Sequence, residues 1–177
     1  MKEEILYREK SKVLGKHLGI GRSIVSGSEN PVGLKMVFYT LESGESASFF
    51  TPENLHEGHE GVFHGGLISS VLDEVMGRAA RRSFGSNDDG CYTVFTGELT
   101  VKYLKPILTG YKKYVFAKSV KIDGRKNYTE GYIVDENNVV YAKSTGIYVS
   151  VMLDSIDEPT FKAGKMYELN ENDPKEL

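Results

Sequence analysis

The sequence predicts an α+β fold in which an antiparallel sheet curves around one long buried helix. Two observations carry this. Leu67, Val71, Val75 and Ala79 recur every fourth residue, and so do Ile68, Leu72, Met76 and Ala80; this is the double apolar row of a helix buried against a large surface. Two short strand candidates precede that helix and four long ones follow it, each bounded by turn residues. A stripe so broad needs a curved sheet, because a flat one would leave part of it wet.

In order, residues 2–18 have the look of a short amphipathic helix, weakened by Gly15, and Gly19–Gly33 holds the Gly, Ser, Asn and Pro of a loop. Leu34–Leu41 is β-branched and aromatic enough for a strand. Glu42–Glu45 is a turn, and Ser46–Phe50 a second strand stopped by Pro52. The stretch from His56 is rich in Gly and His without an apolar period, hence a loop. From Leu67 the helix runs about five turns, roughly 25–30 Å. Gly85–Gly90 is a turn cluster. Tyr92–Leu104, Lys112–Ile122, Asn127–Val134 and Val139–Val151 then read as strands, parted by Pro106–Gly110, Asp123-Gly124 and Glu136-Asn137-Asn138. The expected division is an N-terminal extension over 1–33, a main domain over 34–153 and a loosely packed polar tail over 154–177.

Composition narrows the function. A chain of 177 residues with 40% hydrophobic and 27% charged residues is an ordinary single globular domain. A net charge of −3 speaks against a general nucleic-acid binder. The single cysteine, Cys91, allows no intrachain disulfide and fits a reducing compartment. The charged start MKEEILYREKSK lacks an apolar h-region, and no apolar run reaches membrane-spanning length. The expectation is a soluble, cytoplasmic protein without a membrane partner.

The other two rows of the helix differ. Gly66, Ser70, Glu74 and Arg78 pair Glu74 with an arginine four residues on. Gly65, Ser69, Asp73 and Gly77 are small residues carrying one carboxylate without such a partner. The chemistry is therefore expected at Asp73, where a ligand can come close. Three histidines at 56, 59 and 64 invite a metal, but the zincin pattern would need histidine at Glu60 or Phe63, and Gly58 and Gly61 deny it a helix. Neither a metal nor a cofactor is expected. No GxxxxGK[ST] or GxGxxG motif occurs, which turns the reading away from nucleotide hydrolysis and Rossmann chemistry.

The segment HGGLISSVLDEVMGRAA, preceded by HEGHEGVF and followed on the next strand by ELTVKYLKPI, resembles the hotdog-fold acyl-CoA thioesterases of the PaaI-like group over residues 34–151. His64-Gly65-Gly66 matches that family's loop-to-helix motif. Asp73, nine residues after His64, matches its catalytic carboxylate, and Thr96, ten residues before Pro106, matches an assisting hydroxyl. Some members carry Asn six residues before the histidine; here that residue is Gly58, and His56, His59 or a backbone group is left to fill the role. The resemblance implies a hotdog fold, an acyl-CoA substrate and a homodimer or dimer of dimers.

Physical chemistry supports the same reading. Thioester hydrolysis needs an activated water or nucleophile and a donor for the developing oxyanion. A helix N-terminus supplies free N–H groups, and Gly65 and Gly66 admit a carbonyl without an intervening Cβ. Asp73 is general base or nucleophile. His64 is expected to fix the loop beside the substrate, with His56, Lys105 and Arg125 (and Lys102) as further substrate contacts through loop and phosphates. Tyr92, Phe95, Tyr103 and Met76 fit either an apolar pocket or the core. Gly65 and Asp73 lie about 12 Å apart along one helix axis, so a shared site between two copies related by a two-fold axis is expected. The alternative is a hotdog domain that binds acyl-CoA without turnover. A hydratase is disfavoured, because His64 and Asp73 lie about 13 Å apart along the helix.

Overall fold

In the computed structural model, which describes residues 3–19, 21–84, 92–152 and 166–177, the apolar double row is the helix α1, Gly65–Ser83. The strands are β1 (Val13–His17), β2 (Phe38–Leu41), β3 (Ser46–Phe50), β4 (Glu57–His59), β5 (Val62–Phe63), β6 (Tyr92–Tyr103), β7 (Lys113–Asp123), β8 (Lys126–Val134), β9 (Val140–Met152) and β10 (Met166–Tyr167). Among the described residues, eight of them form one antiparallel sheet in the order β10-β1-β2-β3-β7-β8-β9-β6, and β4 pairs with β5. This sheet wrapped on one helix is the hotdog architecture.

The core lies between α1 and the inner face of the sheet. Ile68, Val71, Leu72, Val75, Met76, Ala79 and Ala80 are buried there with Phe38, Val115, Ala117, Ile133, Ala142 and Tyr148. Val71, Leu72, Val75 and Met76 expose no surface; together they contribute roughly 6–12 kcal/mol of gross burial, before the cost of ordering. Helix and sheet approach closely because Gly131 and Gly146 face Met76. A Cβ at Gly131 would fall 2.9 Å from the Met76 sulfur.

Alternation along the strands builds a second cluster on the outer face. Val13, Tyr39, Leu41, Ala47, Phe116, Val134 and Val140 gather there, covered by Leu6, Leu169 and Leu177. Both chain ends thus pack against the sheet. Leu6 N donates to Asn138 O at 2.9 Å, and Lys16 holds Asp173 at 2.6 Å.

Several expectations need correction. Residues 2–18 contain no helix among those described: Val13–His17 is a strand, with Val13 and Gly15 buried against β2 and β10 on its far side. Gly15 and β-branched Val13 are weak helix formers, and the sheet decides the contest. The strand expected over Leu34–Leu41 begins only at Phe38, since Leu34 and Met36 donate to Ile24 O and Val25 O and Lys35 has φ +51°. The loop from His56 holds the hairpin β4–β5, turned at Gly61 with φ +71°. The tail was expected to pack loosely; its described part, 166–177, is tied to β1. The turn cluster Gly85–Gly90, Cys91 and residues 154–165 lie outside the described residues.

Candidate active site

The hairpin delivers the chain to α1 with His64 as its N-cap (φ −63°, ψ 129°). His64 Nδ1 accepts from Gly66 N at 2.9 Å, and its carbonyl accepts from Leu67 N and Ile68 N at 3.0 and 3.1 Å. A side chain on Gly66 would collide with the imidazole, its Cβ 2.9 Å from Nδ1. The Gly66 N–H is therefore spent on the cap. Gly65 N, at the positive end of the helix, meets no acceptor among the described residues. Of the two glycines, Gly65 is the one with a donor to offer.

Below this cap sits His56. It is buried, its Nδ1 accepts from Glu53 N at 3.2 Å, and Nε2 lies 3.1 Å from Val32 O. These bonds fit the tautomer protonated at Nε2. With both nitrogens engaged inward, His56 braces the loop. Gly58, where the resembling family has Asn in some members, has no room for a side chain: a Cβ there would stand 2.9 Å from His64 Cδ2.

Asp73 lies two turns further along α1. Thr96 Oγ1 donates to its Oδ1 at 2.7 Å, and the Tyr148 hydroxyl reaches Asp73 Oδ1 and main-chain O, both at 2.9 Å. Oδ2 accepts no hydrogen bond among the described residues. Burial, then the neighbouring carboxylate, pushes the Tyr148 phenol well above its ordinary value. Glu74, on the adjacent row, is bound to Arg78 at 2.8 Å and accepts from Ser23 at 3.3 Å.

β6 lines both ends of this arrangement. Tyr103 donates to Gly65 O at 3.1 Å and lies 2.6 Å from Ser69 Oγ, while Thr96 meets Asp73. Residues 96 and 103 differ in parity and would face opposite sides of a regular strand. A β-bulge between Thr96 and Glu98 inserts one residue, Gly97, so that Val94 and Thr96 share the helix side with Leu99, Val101 and Tyr103.

Asp73 and Thr96 are thus brought together, with Gly65 and Gly66 at the helix start under His64. Lys105 and Arg125 stand elsewhere: Lys105 forms an ion pair with Glu3, and Arg125 Nε donates to Ser150 O at 3.0 Å. Sequence reasoning missed Tyr148. Its signal was a single bulky polar residue closing the inward row Ala142, Ser144, Gly146 of the last long strand.

The family model described as the thioesterase superfamily matches residues 60–142. The chain is 28% identical over 116 residues to a Xenopus laevis protein named acyl-coenzyme A thioesterase THEM4, covering 65% of this chain and 49% of that one. The curated relatives it matches are spanned over 46% to 65% of their length. Among solved structures, the thioesterase superfamily protein RHA08564 is 26% identical with a TM-score of 0.63, over 72% of this chain and 60% of that one. The E. coli PaaI protein shares the fold at 15% identity and a TM-score of 0.58, over 67% and 80% of the two chains. The chain has the hotdog fold, and its residues 60–142 are similar to the thioesterase superfamily. In sequence it is similar to proteins named acyl-CoA thioesterases, and in fold to PaaI.

Proposed function

We propose that the chain hydrolyses the thioester of an acyl- or aryl-acyl-CoA to the free acid and CoA, at a site shared by two copies. The observation that carries this is the Asp73 carboxylate, held at Oδ1 by two hydroxyl donors with Oδ2 left open. As general base, Oδ2 takes a proton from water; the water oxygen bonds the carbonyl carbon, the C–S bond breaks, and the proton passes to the departing thiolate. As nucleophile, Oδ2 bonds the carbon itself and the C–S bond breaks to release CoA thiolate; water then opens the anhydride, freeing the acid and the Asp73 carboxylate, and the water's proton goes to the thiolate. Either route puts negative charge on the carbonyl oxygen, for which Gly65 N–H at the helix end is the donor. Label found in Asp73 after a single turnover in ¹⁸O-water marks the anhydride route, with water attacking the aspartyl carbon.

Two copies are required because β6 runs alongside α1, keeping the Gly65 and Asp73 of one chain about 12 Å apart. A two-fold axis sets the N-terminus of one helix beside the middle of the other. The working unit of this reading is the hotdog domain over 34–153, in a cytoplasmic setting that suits one cysteine. Surface cations such as Lys105 would meet the CoA phosphates after leaving their present partners.

The test is thiol release from a panel running from acetyl- to long-chain and aryl-acyl-CoA. Asp73→Asn should lower kcat at least ~10²-fold with the fold intact, and Glu74→Gln should lower it little. Gly65→Pro removes the donor and adds a ring where glycine admits the carbonyl, while the helix can still start there, because proline suits the first helical position and His64 already has the extended backbone that precedes it. Each variant alone should be nearly inactive. Mixed and reassembled in equal amounts, half the dimers are heterodimers with one intact site each, so roughly a quarter of the activity returns. No recovery after proven exchange would place the site within one chain. Binding of acyl-CoA without thiol release would make the protein a sensor.

A further inference from the structure

The inner row of β9 is small until it reaches residue 148: Ala142, Ser144 and Gly146 precede a tyrosine that is 1% exposed. Two glycines make room for its ring. A Cβ at Gly146 would stand 3.0 Å from Tyr148 Cε2, and one at Gly77, on α1, 3.4 Å from Cε1. The ring therefore stands between sheet and helix with its hydroxyl at Asp73. Filling that space takes only the ring, which phenylalanine supplies equally. The hydroxyl is an addition that burial penalises unless it finds a partner, and the partner it has is the carboxylate placed at the centre of the site.

The contact has a definite geometry. Tyr148 OH lies 2.9 Å from both the main-chain oxygen and Oδ1 of Asp73, so it bridges side chain and backbone of the same residue. Thr96 joins it on Oδ1 at 2.7 Å. A helix-surface aspartate ordinarily turns among its rotamers, and its two oxygens exchange. Two donors on one oxygen, one also anchored to the helix backbone, stop that exchange and leave Oδ2 facing outward as the atom that reacts.

We infer that Tyr148 is a positioning residue of thioester hydrolysis: through Oδ1 it fixes the Asp73 carboxylate so that Oδ2 is the oxygen presented to water or thioester. This rests on the hydrolase reading of Asp73 given above. Tyr148 itself touches no substrate atom. Burial, then the neighbouring carboxylate, raises the phenol further above its ordinary value, so the hydroxyl remains a donor through the neutral range.

Tyr148→Phe in the full-length chain deletes the hydroxyl and keeps the ring between its two glycines. The expected result is a fall in kcat of roughly 10- to 100-fold, the scale of one hydrogen bond to a charged group. KM and the Kd for CoA should stay within about twofold, and a circular dichroism melt should show a folded protein, because neither ring nor pocket changes. In an Asp73→Asn background the same substitution should change the residual kcat less than about twofold, since the group it positions is already disabled. A kcat within twofold of wild type overturns the inference. So does an equal fractional loss with and without Asp73, or a parallel fall in kcat and CoA affinity. Failure of the underlying reading looks different: there Asp73→Asn itself leaves kcat intact. An inactive Asp73→Asn beside a fully active Tyr148→Phe removes the role of Tyr148 alone.

Discussion

The two edges of the main sheet are finished in opposite ways. At one, the five-residue β1 is paired with the two residues of β10, and Asp173 binds Lys16 at 2.6 Å and Tyr39 at 3.4 Å. At the other, β6 runs twelve residues as the last strand in the order and leaves Tyr92 and Tyr103 exposed. An unpaired edge is a template for another chain, and proteins commonly blunt it. Here one edge is blunted by the chain's own ends, while the other, open among the described residues, carries Thr96, Tyr103 and the bulge. The contrast teaches that the pairing of the chain ends and the proposed chemistry lie at opposite edges of one sheet, so each is expected to break without the other.

The largest separate effect should come from the closed edge. Deleting residues 166–177 removes β10, Asp173, Leu169 and Leu177 and bares Tyr39 and Phe116. We expect a loss of roughly 3–5 kcal/mol in denaturant unfolding and a fall in Tm of about 10 °C or more. Below the melt, thiol release should stay within about twofold of the intact chain. A truncated protein that melts normally but releases no thiol would mean the two edges are coupled.

At the open edge, Thr96→Val deletes the second hydroxyl on Asp73 Oδ1. Turnover should slow by roughly 1–2 kcal/mol of barrier, with Tm hardly changed. An unchanged kcat with a shifted KM would make Thr96 a wall of the pocket.

The smallest effect separates the edges by pH. Burial, with Asp173 beside it, pushes the Tyr39 phenol up to about 12. A raised folded value means the folded state keeps its proton while the unfolded chain ionises. This contribution is complete below pH 10 and is lost as pH rises from about 10 to about 12. Asp173 acts in the opposite sense: the backbone N–H of Asn170, then Lys16, hold its carboxyl below the usual range, so its contribution fades as the solution becomes acidic. Tyr39→Phe should flatten the alkaline decline of Tm followed by circular dichroism. An unchanged slope would show that the closed edge does not sense this proton.

These edges also mark what the sequence made legible. The helix could be read because its four rows carry different chemistries, and Asp73 stood out as a carboxylate without a partner in a row of small residues. The long strands were bounded by turn residues with one structural meaning. The closed edge could not be read in the same way. β1 is short and contains Gly15, and β10 is two residues whose pairing is set by packing far along the chain. Thr96 was singled out from the family resemblance, and its direction toward Asp73 depends on the bulge at Gly97, which strand alternation conceals. Tyr148 was hidden because alternation says that a residue faces inward, not which helix atom it meets. His56 was misleading for a simple reason: a histidine in a glycine-rich loop looks like a ligand contact until both nitrogens are found facing inward.

The pairing of β1 with β10 has a consequence for how the protein is made. Lys16 meets Tyr167, roughly 150 residues further along the chain, which at about 5–20 residues per second is some 8–30 s of translation. Throughout that interval the outer edge of β1 lacks its own partner, and a nearby nascent chain can take the place that β10 will later fill. The C-terminal segment therefore acts on yield as well as on melting temperature. A slowed or prematurely stopped ribosome would leave behind a sheet with both edges open.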